Sequence, residues 1–235
     1  AGNRLTQSGV RVLNGSLVGY LRNFTYNAVN QLVRMDDFAL GAVNYTYNLD
    51  GSRISAVSED TKHEYYYGAD GRLMEARVWE KNGSAWLMKN KLYEQYIYDG
   101  AGRRSVVETR SAQGDSLLGT RTTLYDETDT WSELYTYETG LNTQETGYLN
   151  DAFLNKLAFW HGDAIAYIQH DALGSILGPT DSNGFLPEEA ALRQYSDYGE
   201  LLNPDESNVP LTDGYTGYQH DAYTGIEYAR NRYYD

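Results

Sequence analysis

The stretch YTYNLDGSRI, residues 45–54, decides the fold. Tyr45 and Tyr47 are two apart, so on an extended backbone both rings stand on one face. Asn48 follows, a residue type whose side chain bonds to backbone two positions on and so starts a turn. Gly51 supplies the left-handed conformation that residues with a Cβ resist. Arg53 and Ile54 then open a return strand. The stretch predicts a β-hairpin with a loop of about four residues.

Working outward, the same pattern recurs. Residues 24–32 read FTYNAVNQL, 65–73 read YYYGADGRL and 96–104 read YIYDGAGRR. The key positions are Tyr65, Tyr67, Gly71 and Arg72 in one copy, and Tyr96, Tyr98, Asp99, Gly102 and Arg103 in the next. The second tyrosines fall at 26, 47, 67 and 98, and the last step is lengthened by Lys81–Lys91. One hairpin is marginal in water, so neighbours must pair edge to edge. That pairing aligns the tyrosines in ladders across the strands. A Tyr-x-Tyr pair or an Asp-Gly turn alone occurs in any β-sheet; four copies in order do not arise by chance.

Composition agrees. The chain has 235 residues, room for one large or two modest domains. It holds 23 Tyr and 23 Gly but only 4 Pro, which reads as all-β. Cysteine is absent, which excludes disulfides and thiolate metal sites. No apolar run reaches the roughly 18 residues of a membrane-spanning helix, and no signal peptide is visible. Charge is uneven. Residues 1–110 carry 14 Lys and Arg against 12 Asp and Glu, while residues 111–235 carry 5 against 21. A second half with a net charge of −16 argues against nucleic acid and anionic membrane as partners, because phosphate contacts need Lys and Arg.

Beyond the four copies the pattern thins. Lys81–Lys91 is expected to be a longer, exposed hairpin with Asn82-Gly83 at its tip and Trp86 and Leu87 at its centre. From 111 on, only Tyr125-Asp126 and Tyr135–Glu138 keep fragments of the repeat. Thr128–Thr139 is acidic and holds Trp131, and Gly147–Trp160 fits either a strand or a short helix. Pro179–Gly184 reads as a turn and Asn203–Pro210 as a polar loop. The final stretch, GYTGYQHDAYTGIEYARNRYYD, residues 214–235, is too aromatic for a mobile tail. It predicts two short strands around Thr224-Gly225, with Gly225 at positive φ.

These segments resemble the YD-repeat, or Rhs, family. The four copies resemble its YxYDxxGRL unit. Tyr167–Ser175 resembles a YxHxDxLGS motif through His170, Asp171, Leu173, Gly174 and Ser175, although His170 and Asp171 adjoin where the family often spaces them. Tyr195–Glu200 resembles YxYDxYGE. Residues 214–235 are similar to the signature that closes the Rhs-associated core, through Gly217, Asp221, Thr224, Gly225, Tyr228, Arg232, Tyr233, Tyr234 and Asp235. The resemblance implies a spiral of stacked antiparallel β-hairpins: repeats over 1–110, degenerate repeats over 111–166 and the Rhs-associated core over 167–235. It also implies that Ala1–Leu5 continue an earlier repeat, and that the chain is part of a larger polypeptide.

Candidate sites are few. The histidines His63, His161, His170 and His220 include two His-Asp pairs, but adjacent strand residues face opposite ways, so no metal site or other cofactor is expected. Ser175 lacks the Gly-x-Ser-x-Gly elbow of a nucleophile. In self-cleaving relatives the catalytic aspartates follow the closing signature, so no catalytic residue is expected here. The resemblance implies a structural part of a hollow shell, as in bacterial Rhs toxins, the Tc toxin C component and teneurin-like proteins. Its partners would be the rest of that shell and a C-terminal toxin cargo, in a secreted or cell-surface setting, with self-association possible through edge strands. The alternative is a recognition module that binds glycan or protein through exposed Trp79, Trp86 and Trp131.

Overall fold

Strands hydrogen-bond to one another in chain order, as a run of hairpins requires. The computed structural model describes residues 3–13, 16–127, 131–140, 143–151, 155–186, 192–196, 199, 201–203, 211, 213–221, 223–229 and 232–234, with backbone alone for 12, 13 and 232–234. The strands are β1 (Thr6–Leu13), β2 (Ser16–Tyr26), β3 (Leu32–Asp37), β4 (Gly41–Tyr47), β5 (Arg53–Val57), β6 (Thr61–Tyr67), β7 (Leu73–Asn82), β8 (Ala85–Met88) and β9 (Leu92–Tyr98). They continue as β10 (Arg104–Ser111), β11 (Leu117–Tyr125), β12 (Glu133–Thr139), β13 (Gln144–Asn150), β14 (Lys156–His161), β15 (Ala164–His170) and β16 (Ile176–Thr180). Together they form a 16-stranded antiparallel sheet in which β8 branches off β7 and every other strand follows its predecessor. A second sheet joins β17 (Gln219–His220), β18 (Glu227–Ala229) and β19 (Arg232–Tyr234).

The chain divides into two compact units, one of residues 1–11, 16–95 and 109–116, the other of residues 12–15, 96–108 and 117–235.

In the first unit the turns opened by Asn27, Asn48 and Gly68 share one geometry. The Asn48 N–H donates to the Ser52 carbonyl at 2.9 Å, and the Gly51 N–H donates back to Asn48 at 3.1 Å. The Asn48 side chain accepts from the N–H groups of Asp50 and Ser52 at 3.1 and 2.9 Å. Gly51 and Gly71 have φ of 85° and 78°, as the sequence required, and Asn30 takes the equivalent place in the first hairpin at 63°. The two tyrosines of a copy then play different roles. Tyr45 and Tyr65 are buried, and the Arg53 guanidinium lies over both rings at 5.5 and 5.2 Å. Tyr47 and Tyr67 instead donate their hydroxyls to the carbonyls of Leu32 and Arg53 in the preceding hairpin, at 2.7 and 2.9 Å. Cation–π stacking and these clasps tie one hairpin to the next. The Lys81–Lys91 extension is the expected hairpin: Asn82 pairs with Ala85, and Gly83 has φ of 63°.

A Cβ added at Gly71 meets nothing within 4 Å, so Gly71→Ala isolates the cost of the left-handed backbone. Thermal or urea denaturation should show a loss of about 1 kcal/mol. An unchanged midpoint would mean that the turn tolerates a different conformation.

In the second unit the repeat persists where its sequence has faded. Asp99, Asp171 and Asp181 each open a turn of the same geometry, with Gly102, Gly174 and Gly184 at φ of 84°, 83° and 82°. Asp171 is therefore in register, and its carboxylate accepts from the N–H groups of Leu173 and Ser175, both at 2.8 Å. His170 stands where other copies have their second tyrosine. Its Nε2 bonds the Lys156 carbonyl at 2.6 Å, as the Tyr125 hydroxyl bonds the Arg104 carbonyl at 2.9 Å. Asn150 does the same to the Glu133 carbonyl at 2.7 Å. The open reading of Gly147–Trp160 resolves to strands β13 and β14, with Phe153 and Leu154 outside the described residues. Tyr148, Phe159, Ile168, Ile176 and Leu211 form the apolar core on one face. The turn in the closing stretch is as predicted: the Gly225 N–H donates to Asp221 at 2.7 Å, with Gly225 at φ of 73° between β17 and β18. Ala1, Gly2, Asp197, Tyr198, Glu200, residues 204–210 and Asp235 lie outside the described residues.

Candidate functional site: a buried charge network

At several turns the residue that opens the return strand is buried, as Leu73 is in the first unit. In the second unit this place is held by Arg104, Glu133, Lys156 and Ile176, at 1%, 8%, 7% and 1% exposure. Three successive core positions thus carry full charges. Burying an ion costs several kcal/mol unless it is paired and hydrogen-bonded. The partners come from the closing part of the chain, between Asp213 and Tyr228.

Lys156 Nζ donates to Glu133 Oε2 at 2.7 Å and is also in contact with Asp213 Oδ2. It lies 4.2 Å from the centre of the Tyr148 ring. Gln219 Nε2 donates to the other oxygen of Glu133, and Gln219 Oε1 accepts from Arg104 at 2.8 Å. Arg104 pairs with Asp221 Oδ2 at 3.6 Å and lies over the rings of Tyr96 and Tyr228, at 5.2 and 4.6 Å. The Tyr96 hydroxyl donates to the same Asp221 oxygen at 2.7 Å. The other Asp221 oxygen accepts from the N–H groups of Tyr223 and Thr224 at 3.2 and 3.3 Å. One continuous chain of polar contacts therefore runs Asp213, Lys156, Glu133, Gln219, Arg104, Asp221, Tyr96.

The two carboxyls beside Lys156 behave differently. Burial pushes Asp213 up to about 6, with the nearby Glu133 charge adding to the shift, although Lys156 opposes it. Burial also pushes Glu133 upward, but Lys156 and the Gln219 amide outweigh it and hold Glu133 below the usual carboxylate range. Lys156 itself is desolvated, yet its two carboxyl neighbours raise it further into the charged state. A cavity of about 140 Å³ adjoins the trio, lined among others by Tyr125, Trp131, Asn150, Lys156, His170 and Thr216.

The structure brings together part of the closing signature. Asp221, Thr224 and Tyr228 are buried, and Ser175, fully buried, accepts from the Thr216 N–H at 3.1 Å. Gly217 has φ of 72°, and Leu173 is exposed at its turn. Arg232, Tyr233 and Tyr234 pair through their backbone with Ala229, Tyr228 and Glu227. The tryptophans read as exposed are half-buried. The Trp79 indole N–H donates to Glu64 at 2.8 Å and its ring is covered by the Lys62 ammonium at 4.7 Å. Trp131 lines the cavity and Trp86 packs in the extension hairpin. The more exposed indole is Trp160, at 41%, which lies over Gly147; a Cβ there would fall 1.9 Å from the ring.

Sequence reasoning missed Arg104, Glu133, Lys156, Asp213 and Gln219. One signal was present. Lys156 is one of only five basic residues after position 110, and it opens the apolar run Leu157–Trp160. Among the described residues no group of three or more His, Asp or Glu is placed to hold a metal. No helix among them is long and apolar enough to cross a membrane.

No protein-family model matches the chain. It is 26% identical over 237 residues to the tRNA3(Ser)-specific nuclease WapA of Bacillus spizizenii, and 26% identical over 243 residues to the tRNA nuclease WapA of Bacillus subtilis. All of this chain aligns, but it spans only 9% of either relative. Its fold is similar to part of the crystal structure of TcdB2-TccC3, with a TM-score of 0.58 and 18% identity over 94% of this chain and 12% of that one. The complex TcdB2-TccC3-Cdc42 gives the same TM-score at 19% identity.

Proposed function

We propose that this chain is a structural segment of a hollow shell built from YD-type hairpins, which encloses a C-terminal toxin or effector of the same polypeptide. The observation that carries the reading is the covered end of the second unit. The last strand of the sheet, β16, does not end the pairing: the Ile176 N–H donates to the Gly214 carbonyl at 3.1 Å and the Arg193 N–H to the Leu177 carbonyl at 2.7 Å, while buried charges hold Gln219 and Asp221 against Arg104. The relatives, which are much longer chains, support a segment of a larger polypeptide; a secreted or cell-surface setting belongs to the same proposal. In the full-length polypeptide, limited proteolysis should spare the cargo, while the cargo expressed alone is digested. Equal digestion of both would sink the shell reading.

The segment has no turnover chemistry of its own. Incubation of this chain from mildly acidic to neutral pH should yield no site-specific fragments on a gel. Fragments that vanish in Asp221→Asn or Asp235→Asn would overturn this.

Recognition through surface aromatics is a second reading, and the half-exposed Trp160 is its best anchor. A glycan or protein ligand retained after Trp160→Ala would remove it.

A further inference from the structure

We propose that Lys156 and Asp213 condense spontaneously to an isopeptide bond, with Glu133 as the proton acceptor, so that the closing segment is welded covalently to strand β14.

The geometry supplies each requirement. The nucleophile and the acyl group already touch: Lys156 Nζ is in contact with a carboxyl oxygen of Asp213, and the two residues are 57 apart in the chain. A base is in place, because Glu133 Oε2 lies 2.7 Å from the same nitrogen. The site is dry. Lys156, Asp213 and Glu133 are each more than nine-tenths buried, and the Tyr148 ring closes one side of the ammonium. In water an amine and a carboxylic acid exchange a proton and stop there, as a solvated ammonium carboxylate. Burial removes the solvation that makes that state the end point. Held in contact, the pair also needs no further loss of translational freedom to react.

The charges point to the roles. With all three groups ionised the trio carries a net −1, and uptake of one proton makes it neutral. Asp213 is the carboxyl that burial favours in the protonated form, which is the form open to attack. The ammonium passes a proton to the Glu133 carboxylate, and the freed amine attacks Asp213 Cγ. The C–N bond forms, the C–OH bond breaks, and the hydroxyl leaves with a proton from nitrogen as water. Asp213-COOH, Lys156-NH₃⁺ and Glu133-COO⁻ thus become an amide, one water and Glu133-COOH. Atoms and charge balance, and no oxidant or cofactor enters. The adjoining cavity receives the water.

Intact-mass spectrometry of the purified, denatured chain tests this. The expected mass is the sequence mass less one water, with a branched peptide joining Lys156 to Asp213 after digestion. Lys156→Arg keeps the cation but should show the full sequence mass. Glu133→Gln should remain folded by circular dichroism and condense much more slowly. Asp213→Asn should lose ammonia in place of water. A wild-type chain at full mass overturns the proposal and leaves a plain buried ion pair. So does a water loss that persists in Lys156→Arg, or one that mild alkali reverses and that maps to a cyclic imide at Asp213-Gly214. Condensation at the wild-type rate in Glu133→Gln would remove Glu133 from the reaction. Should that variant fail to fold, the wild-type and Lys156→Arg masses decide.

Discussion

Replacing Lys156 by methionine is expected to destabilise the second unit by about 3–5 kcal/mol, the range for breaking a buried pair from one side. Methionine matches the lysine stem, so packing against Tyr148 is largely kept and the loss is electrostatic. Glu133 keeps the Gln219 amide, but both carboxyls lose their shared cation at a buried site. The pH dependence checks this. Stripped of Lys156, both carboxyls bind protons more tightly in the folded chain than in the unfolded one. Stability from such groups is fully present below the ordinary carboxylate range of about 4, and is lost as pH rises through their raised folded values. Urea denaturation should therefore show a deficit that is largest above about pH 7 and shrinks toward pH 4–5. Where the Lys156–Asp213 bond has formed, the substitution also removes that tie and the loss is larger still. A deficit independent of pH would assign it to packing.

Arg104→Leu is expected to cost a comparable amount, about 3–5 kcal/mol, because it takes the buried cation away from Asp221 of the closing segment. It also removes the cation over Tyr96 and Tyr228 and the donor to Gln219. Asp221 has a second task, since its other oxygen holds the Tyr223–Thr224 turn. Asparagine keeps that acceptor and drops the charge. The double variant Arg104→Leu, Asp221→Asn should therefore be more stable than Arg104→Leu alone, with a coupling of about 1–3 kcal/mol. Simple additivity would show that Arg104 acts through its stem rather than its charge. Arg104→Lys should rescue only in part, because an ammonium lacks the planar fork that meets both Gln219 and Asp221.

The hairpins themselves were legible in the sequence because everything that makes them is local. Tyr45 and Tyr47 share a face through the strand period, Asn48 bonds its own turn, and Gly51 meets a backbone demand that no distant contact alters. The same signals placed Gly225 in a turn, and the structure shows the repeat's turn again at Asp171, where the surrounding pattern had faded. Exposure was harder to read. Trp79 looked like a surface ring, but Lys62 and Glu64 on the neighbouring strand occupy it, whereas Trp160 is left open by a glycine on the strand beside it.

The charge network was decided by tertiary structure alone. Arg104, Glu133 and Lys156 stand at the first position of a return strand, where other hairpins have Leu73 or Ile176. A charge there reads, residue by residue, as the start of a solvated strand. What makes it interior is the cover supplied by Asp213, Gln219 and Asp221, and Asp221 meets Tyr96 from 125 positions away. Local sequence sets backbone conformation through short-range sterics and hydrogen bonds. Whether an ion is buried and paired depends on which distant segment excludes water from it, and that was settled only when the closing segment packed onto the sheet.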